Sequence, residues 1–219
     1  HSPQQIGPLT SIVGSTSAIL ENEARLEPDQ KTALLRNVRD EAQWLIRMVE
    51  NLLSITRMGD DDAHIDKELE AAEEVLASVS GKFQQRFPGV RLELAVPQEL
   101  LFIPMDAILI EQVLMNLLEN AAYHGHCTLI RLSVNRQEDV AAFTVQDNGA
   151  GIPEDVLPDI FSPALRSRTC ASDNRRNMGI GLSVCSSIVK AHGGAMSAAN
   201  AEAGGAVFCF TLPMEENKE

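Results

Sequence analysis

The sequence predicts an α+β protein. An N-terminal helical hairpin, able to form a four-helix bundle in a dimer, precedes an α/β sandwich domain. Three observations predict this. Apolar residues recur at three- and four-residue spacing over 6–58. A charged, apolar-poor joint, "GDDDAH", follows at 59–64. Beyond it, β-rich or alternating runs such as "RLELAV", "LIRLSV" and "AVFCFTL" are interleaved with helical patterns.

The first helix carries Leu9, Ile12, Val13, Thr16, Ile19 and Leu20 at helical spacing. The stretch "RLEPDQ" interrupts it. There Pro28 suits a first helical turn and Asp29 favours the positive end of the helix dipole. The second helix carries Leu34, Val38, Ala42, Leu45, Val49, Leu52 and Ile55. A further set, Leu35, Trp44, Ile46, Met48 and Leu53, widens that stripe. Two helices on a short turn cannot bury two wide stripes against each other alone. A homodimer is the economical solution, and packing on the rest of the same chain is the alternative.

The organisation read from these patterns is a hairpin over 1–58, a linker over 59–66, a second domain over 67–214 and a tail over 215–219. In the second domain, strands are expected near 64–69, 90–95, 100–103, 127–135, 139–146, 195–200 and 206–212. Helices are expected over 70–87, about 106–123 and 181–192. The expected arrangement is one mixed sheet with helices on one face.

Composition narrows the function. The formal net charge of −13 argues against a nucleic-acid partner, which calls for a basic stripe. It leaves room for a nucleotide pocket built from local amides and a few arginines. Four of the 18 basic residues fall between 166 and 176: Arg166, Arg168, Arg175 and Arg176. No run approaches ~18 unbroken apolar residues, so no segment here is expected to cross a bilayer. Cysteines stand at 127, 170, 185 and 209 with no C-x-x-C pair, which speaks against a zinc site. Cys127, Cys185 and Cys209 sit among apolar or small residues and read as buried, reduced thiols.

Four segments carry candidate chemistry. In "EQVLMNLLENAAYHG", Asn116 and Asn120 are one helical turn apart and face the same way. Amide oxygens are hard donors that suit Mg²⁺ bridged to phosphates, although two such asparagines are often merely solvated. "DNGAGIP" follows a strand, and its Asp147 can accept a hydrogen bond from an exocyclic amine. Gly149 and Gly151 let the backbone approach a flat ring, or simply make a turn. "NMGIGLSV" opens a helix with Gly179 and Gly181, where free amides bind anions. Between the last two lies the polar, arginine-bearing segment 154–176, readable as a lid or as a solvated loop.

In this order the four segments resemble the ATP-binding domain of sensor histidine kinases, a branch of the ATPase fold shared with gyrase, Hsp90 and MutL. The resemblance runs over 63–213 and ends in "GGAVFCFTLP". "PLTSIVGSTSAIL" and "MVENLLSITRM" look like the dimerisation and phosphotransfer hairpin of these kinases. Within the family, "IPMDAILIEQVLMNLLENA" looks most like the potassium-sensing KdpD type. The resemblance implies ATP and Mg²⁺ as ligands, with Asn120 on the metal and Asn116 supporting metal and phosphates. It implies Asp147 on the adenine amine, Gly149 and Gly151 along the base, and Gly179, Ile180, Gly181 and Leu182 beneath the phosphates. Phe161 falls on the first aromatic of the family's F motif, and Arg166 is the expected basic residue of the lid. The implied partners are a second copy of the chain and a response-regulator protein. The implied location is the cytoplasmic part of a membrane-anchored sensor.

Several positions depart from the family pattern. Tyr123 stands where a phosphate-contacting Lys or Arg is usual, and His124 where Tyr or Phe is usual. Ala164, Asn177 and Ala206 replace the second F-motif aromatic, a first glycine and a Thr or Ser near the adenine. The acceptor pattern His-(Glu/Asp)-x-x-(Thr/Ser)-Pro-Leu, matched on Pro8-Leu9, puts Pro3 in the histidine slot and Gln4 in the acid slot. A two-residue slip brings in His1, followed by Ser2, at the cost of a rotation of about 200° around the helix. Of the other histidines, His64 falls in the joint, His126 reads as a loop residue and His192 ends a helix before Gly193-Gly194.

Three functions compete on these residues. The first is an ATP-dependent protein histidine kinase with His1 as acceptor. The second is a dimeric signalling module that binds nucleotide or regulator without phosphorylating itself. The third is an ATP-driven clamp of the gyrase or MutL kind. The clamp uses a carboxylate one turn before the metal-binding asparagine, and here that position is Asn116.

Overall fold

The computed structural model describes residues 8–22, 25–58, 65–125, 127–162 and 178–215. The chain divides into two compact units, His1–Leu53 and Ser54–Glu219.

In the first unit, α1 spans Pro8–Glu21, and α2, Pro28–Met58, begins there. The turn between them is closed by Asn22, whose carbonyl accepts from the Arg25 and Leu26 N–H groups at 2.9 and 3.1 Å. Gln30 Oε1 accepts from the Glu27 N–H at 3.2 Å, half of a capping box at the start of α2. Asn37 Nδ2 donates to Ser11 Oγ and Ser15 Oγ at 3.1 and 3.0 Å, so a polar rung joins the two helices. Leu9, Val13, Leu20, Leu35, Ile46 and Val49 are each more than half exposed in the single chain. The side chains of Trp44, Met48, Leu52, Leu53 and Ile55 lie outside the described part.

The second unit contains β1 (Glu68–Ala71), α3 (Ala72–Arg86), β2 (Arg91–Ala95), β3 (Phe102–Met105) and α4 (Ala107–His124). It continues with β4 (Leu129–Gln137), β5 (Val140–Asp147), a 3₁₀ turn (Leu157–Asp159), α5 (Met178–Ala191), β6 (Ala195–Asn200) and β7 (Ala206–Pro213). The strands form two sheets, where the sequence pattern implied one. β1 and β3 pair antiparallel as a two-stranded sheet, and the others are ordered β2-β4-β5-β7-β6. Pro104 in β3 lacks a ladder donor, which suits a short two-stranded pairing and not the middle of a sheet. In the larger sheet β2–β4 is parallel and the other pairs are antiparallel.

Burial alternates along the large sheet. Ile130, Leu132 and Val134 of β4 and Phe208, Phe210 and Leu212 of β7 are buried, while their alternate neighbours are not. One face therefore carries the core under α3, α4 and α5, as the period-two pattern requires. Phe143 and Phe210, paired in register across β5 and β7, stack with centroids 4.7 Å apart. Cys209 falls on the opposite face of β7 and is only partly buried, unlike the expectation from its apolar neighbours. Helix α5 begins at Met178, three residues before the expected start, so Gly179 and Gly181 lie in its first turns.

Two contacts fix the start of α4. Asp106 caps it, accepting from the Ile108 and Leu109 N–H groups at 3.0 and 3.1 Å. His192, just beyond α5 and almost fully buried, engages Ile188 O through Nδ1 at 2.8 Å. Its Nε2 accepts from the Asp106 N–H at 3.1 Å. The histidine that reads as a helix stop is thus a clamp between the end of α5 and the cap of α4.

Candidate nucleotide-binding site

Strand β5 delivers Asp147 into a nearly closed setting, with only 5% of the residue exposed. Its Oδ1 accepts the Gly149 N–H at 2.8 Å and the Ala206 N–H, from the start of β7, at 3.2 Å. Both hydrogen bonds that the described residues give this carboxylate fall on one oxygen, which fixes the direction of the other. The following turn is tied on each side. Ala150 N–H donates to the carbonyl of Gly125, the residue that ends α4, at 3.0 Å. Asn148 Oδ1 accepts from the Thr128 and Leu129 N–H groups, both at 3.0 Å. Asn200 brackets Ile152, accepting its N–H at 2.7 Å and donating to its carbonyl at 2.8 Å.

Close packing explains the glycines here. A Cβ on Gly149 would stand 2.0 Å from Gly125 O, and one on Gly205 would stand 1.9 Å from Asp147 O. Gly205 also has φ +91°, in the left-handed region. The bare backbone of Gly149 is therefore demanded first by the protein's own packing, before any flat ring. Gly151 has φ +76°, in the same region.

Helix α4 connects this turn to α5. Asn116 and Asn120 are half-buried on it, one turn apart. Asn120 Nδ2 is buried and has no hydrogen-bond partner among the described residues. Between them Glu119 forms an ion pair with Arg86 of α3. Asn116 faces α5, where a Cβ on Gly181 would meet its Oδ1 at 3.6 Å. Beside it on α5, the buried Cys185 thiol donates to Val113 O of α4, with 3.8 Å between sulfur and oxygen. Burial pushes that thiol up to about 12. Cys127 donates to Ala121 O at 3.2 Å, and burial, with the Asp147 charge adding to it, pushes its thiol up to about 11.

The remaining expected site residues are distributed unevenly. Tyr123 is exposed on the last turn of α4 with its ring edge-on to Phe87, centroids 5.2 Å apart. Phe161 meets Phe208 edge-on at 6.3 Å. Leu182 is fully buried in the core, so its side chain is not available to a ligand. Gly179 and Ile180 occupy the first turn of α5, with their surroundings outside the described part. Arg166, Ala164 and Asn177 lie outside the described residues, as do His1, Pro3 and Gln4.

The residues present fit a bound nucleotide and metal. A buried carboxylate with one oxygen engaged can take an amine donor, and the buried Asn120 Nδ2, a donor without a partner among the described residues, suits a phosphate oxygen, while a cation would need the Oδ1 of that amide. Among the described residues no three His, Cys, Asp or Glu side chains gather to hold an ion. Mg²⁺ at this site would take amide oxygens and share the phosphates, its usual habit. Gly125, Asn148, Asn200 and Gly205 build the site and escaped sequence reasoning. Their signals were slight: a helix-ending glycine, a Gly-Gly pair before a strand and an asparagine at a strand end.

Residues 105–216 match the family model described as histidine kinase-, DNA gyrase B- and HSP90-like ATPase. The sensor protein KdpD of Clostridium acetobutylicum is 38% identical over 209 residues, which is 95% of this chain and 23% of that protein. The chain thus spans under a quarter of that relative's length. The structure of the Acinetobacter baumannii histidine kinase AdeS has a similar fold, with TM-score 0.69 and 21% identity over 95% of this chain and 96% of that one. The histidine kinase ThkA, solved in complex with the response regulator protein TrrA, gives TM-score 0.69 and 22% identity over 97% of this chain and 60% of that one. With more than half of its 219 residues inside the matched family region, the chain belongs to the histidine kinase-, DNA gyrase B- and HSP90-like ATPases, on the sensor histidine kinase branch.

Proposed function

We propose that the chain is the catalytic core of a KdpD-like two-component sensor kinase, using ATP to phosphorylate a histidine and passing the group to a response-regulator aspartate. The observation that carries this is the setting of Asp147, held by the Gly149 and Ala206 N–H groups with its second oxygen left to receive the adenine amine. Asn120, with Asn116 beside it, would hold the metal. Mg²⁺, when bound, neutralises the phosphate charge that builds in transfer. Gly179, Ile180 and Gly181, in the first turn of α5, would give main-chain N–H groups to the phosphates, with the Leu182 side chain anchoring that turn in the core. Tyr123 borders the site, and Arg166 would complete it from the lid. A histidine nitrogen attacks the γ-phosphorus, and ADP leaves with the bridging oxygen's electrons. His1 is the proposed acceptor.

The exposed apolar stripe of α1 and α2 supports a homodimer, because a second copy would cover Leu9, Val13, Leu35 and Ile46. The ThkA complex supports a response regulator as partner. No helix among the described residues is long and apolar enough to cross a membrane. We place this core on the cytoplasmic side of a membrane-anchored sensor by analogy with its relatives.

Incubating the 219-residue chain with γ-labelled ATP and Mg²⁺ tests the proposal. Acid-labile, base-stable label in the wild type, absent in Asp147→Asn, is the expected result. ATP binding without any label favours the second reading, a dimeric module that binds nucleotide but does not phosphorylate itself. Pro3 in the histidine slot is the observation behind that second reading. Absence of both binding and label would refute the nucleotide site.

A further inference from the structure

We propose that Asn200 is a positioning residue of the nucleotide site. It closes a ring of contacts that aims the second oxygen of Asp147, and so sets the preference for a base with an exocyclic amine over one with an oxygen in that place. This rests on the nucleotide-site reading given above. Asn200 is the last residue of β6, yet both of its amide atoms go to one residue 48 positions away in the chain. Its Oδ1 accepts the Ile152 N–H at 2.7 Å, and its Nδ2 donates to the Ile152 carbonyl at 2.8 Å. A main-chain donor and acceptor on the same residue leave the amide a single orientation. Across the β6–β7 ladder the register partner of Asn200 is Ala206, whose N–H holds Asp147 Oδ1 at 3.2 Å.

These contacts form a closed circuit. It runs from Asp147 along the turn to Ile152, through the Asn200 amide to β6, across the ladder to Ala206 and back to the Asp147 carboxylate. Ile152 is buried, so that corner of the circuit is anchored in the core. Next to it, a Cβ on Gly151 would stand 2.8 Å from Asn200 Oδ1, so the turn is shaped to admit this amide. Asn200 itself is exposed. Water can therefore replace its hydrogen bonds, and its loss costs little stability. Water does not tie Ile152 to β6, however, and the turn that carries Asp147 then gains freedom. An exocyclic amine donates to a carboxylate oxygen, whereas an oxygen in its place presents a second acceptor and is rejected. That discrimination depends on where the second oxygen of Asp147 points, and a looser turn blurs it.

The test is the ratio of affinities for ATP and for inosine triphosphate, which carries an oxygen where ATP has its amine. Both are measured on the full chain by isothermal titration in Mg²⁺, and the wild type should prefer ATP. In Asn200→Ala the ratio should fall roughly two- to fivefold, through weaker ATP binding, with inosine triphosphate held within about 1.5-fold. A merely structural role would weaken both nucleotides by the same factor and leave the ratio unchanged. In an Asp147→Asn background, Asn200→Ala should not move the ratio further, because it acts through that carboxylate. An Asn200→Ala ratio equal to the wild-type one, or a fall of the same size in both backgrounds, overturns the inference. Should Asn200→Ala not fold, Asn200→Asp decides. It keeps the acceptor for the Ile152 N–H but sets a carboxylate oxygen against the Ile152 carbonyl, so a wild-type ratio there overturns the inference as well. If the wild type binds neither nucleotide, or binds both equally, the reading of Asp147 as the base contact fails and this inference falls with it.

Discussion

Replacing Gly149 with alanine tests the construction of the Asp147 turn. The new methyl would stand 2.0 Å from Gly125 O, so the turn and the end of α4 must part by roughly 1.4 Å to reach ordinary contact. That movement breaks the 3.0 Å bond from Ala150 N–H to Gly125 O and pulls on the 2.8 Å bond from Gly149 N–H to Asp147. Gly125 is buried, so its carbonyl cannot turn to water instead. One hydrogen bond left unmade with a buried acceptor costs about 1–3 kcal/mol, and the accompanying strain brings the total to about 2–4 kcal/mol. For a unit of this size that lowers the melting temperature by on the order of 5–10 °C. Scanning calorimetry of Gly149→Ala measures the shift, and titration with ATP should show weaker binding because the same movement displaces Asp147. Gly81→Ala is the control. Gly81 lies inside α3 with nothing within 4 Å of its Cβ position, so alanine there should raise stability by up to about 1 kcal/mol. A Gly149→Ala protein that melts within 1 °C or so of wild type, with unchanged ATP affinity, would refute the reasoning.

His192 should make stability depend on pH. Burial lowers its pKa below 6.5, the Lys67 charge adds to that, and the hydrogen bond to Ile188 and the Asp106 charge partly oppose it. Below pH 6.5 the unfolded chain therefore binds more protons at this site than the folded one. The stability that the neutral clamp provides is complete above about pH 6.5 and is lost as pH falls through the lowered folded pKa. Urea unfolding at pH 7.5 and 5.5 should show a steeper loss in wild type than in His192→Gln, and equal slopes would count against the clamp. Cys127 and Cys185, with thiols pushed up to about 11 and about 12, should resist iodoacetamide at pH 8 in the native protein and react in urea. Rapid native labelling of either, read by peptide mass, would contradict their burial.

The helices and strands were legible because each carries its own period. Leu114, Leu117, Leu118 and Ala121 repeat at helical spacing, and all are buried on α4. β4 reads buried at Ile130, Leu132 and Val134, the period of a half-covered strand. Asn116, Asn120 and Asp147 were legible as types suited to metal and base. Their supports were not. Gly125, Asn200 and Gly205 look like ordinary loop and cap residues, and each becomes necessary only through a partner remote in sequence. Cys209 was misjudged because local apolarity does not say which face of a strand a residue takes.

By itself, then, the sequence determined the two-part α+β architecture, the order of the elements and the residue types from which a nucleotide site is proposed. These depend on patterns within a few residues of each other. The tertiary structure decided that β1 and β3 form a separate sheet, that Gly149 must be bare because Gly125 is against it, and that His192 ties the end of α5 to the cap of α4. Each of those is a contact between segments far apart in the chain. Their distance and direction arise only when the helices settle on the sheet, because close packing admits so few ways of fitting them together.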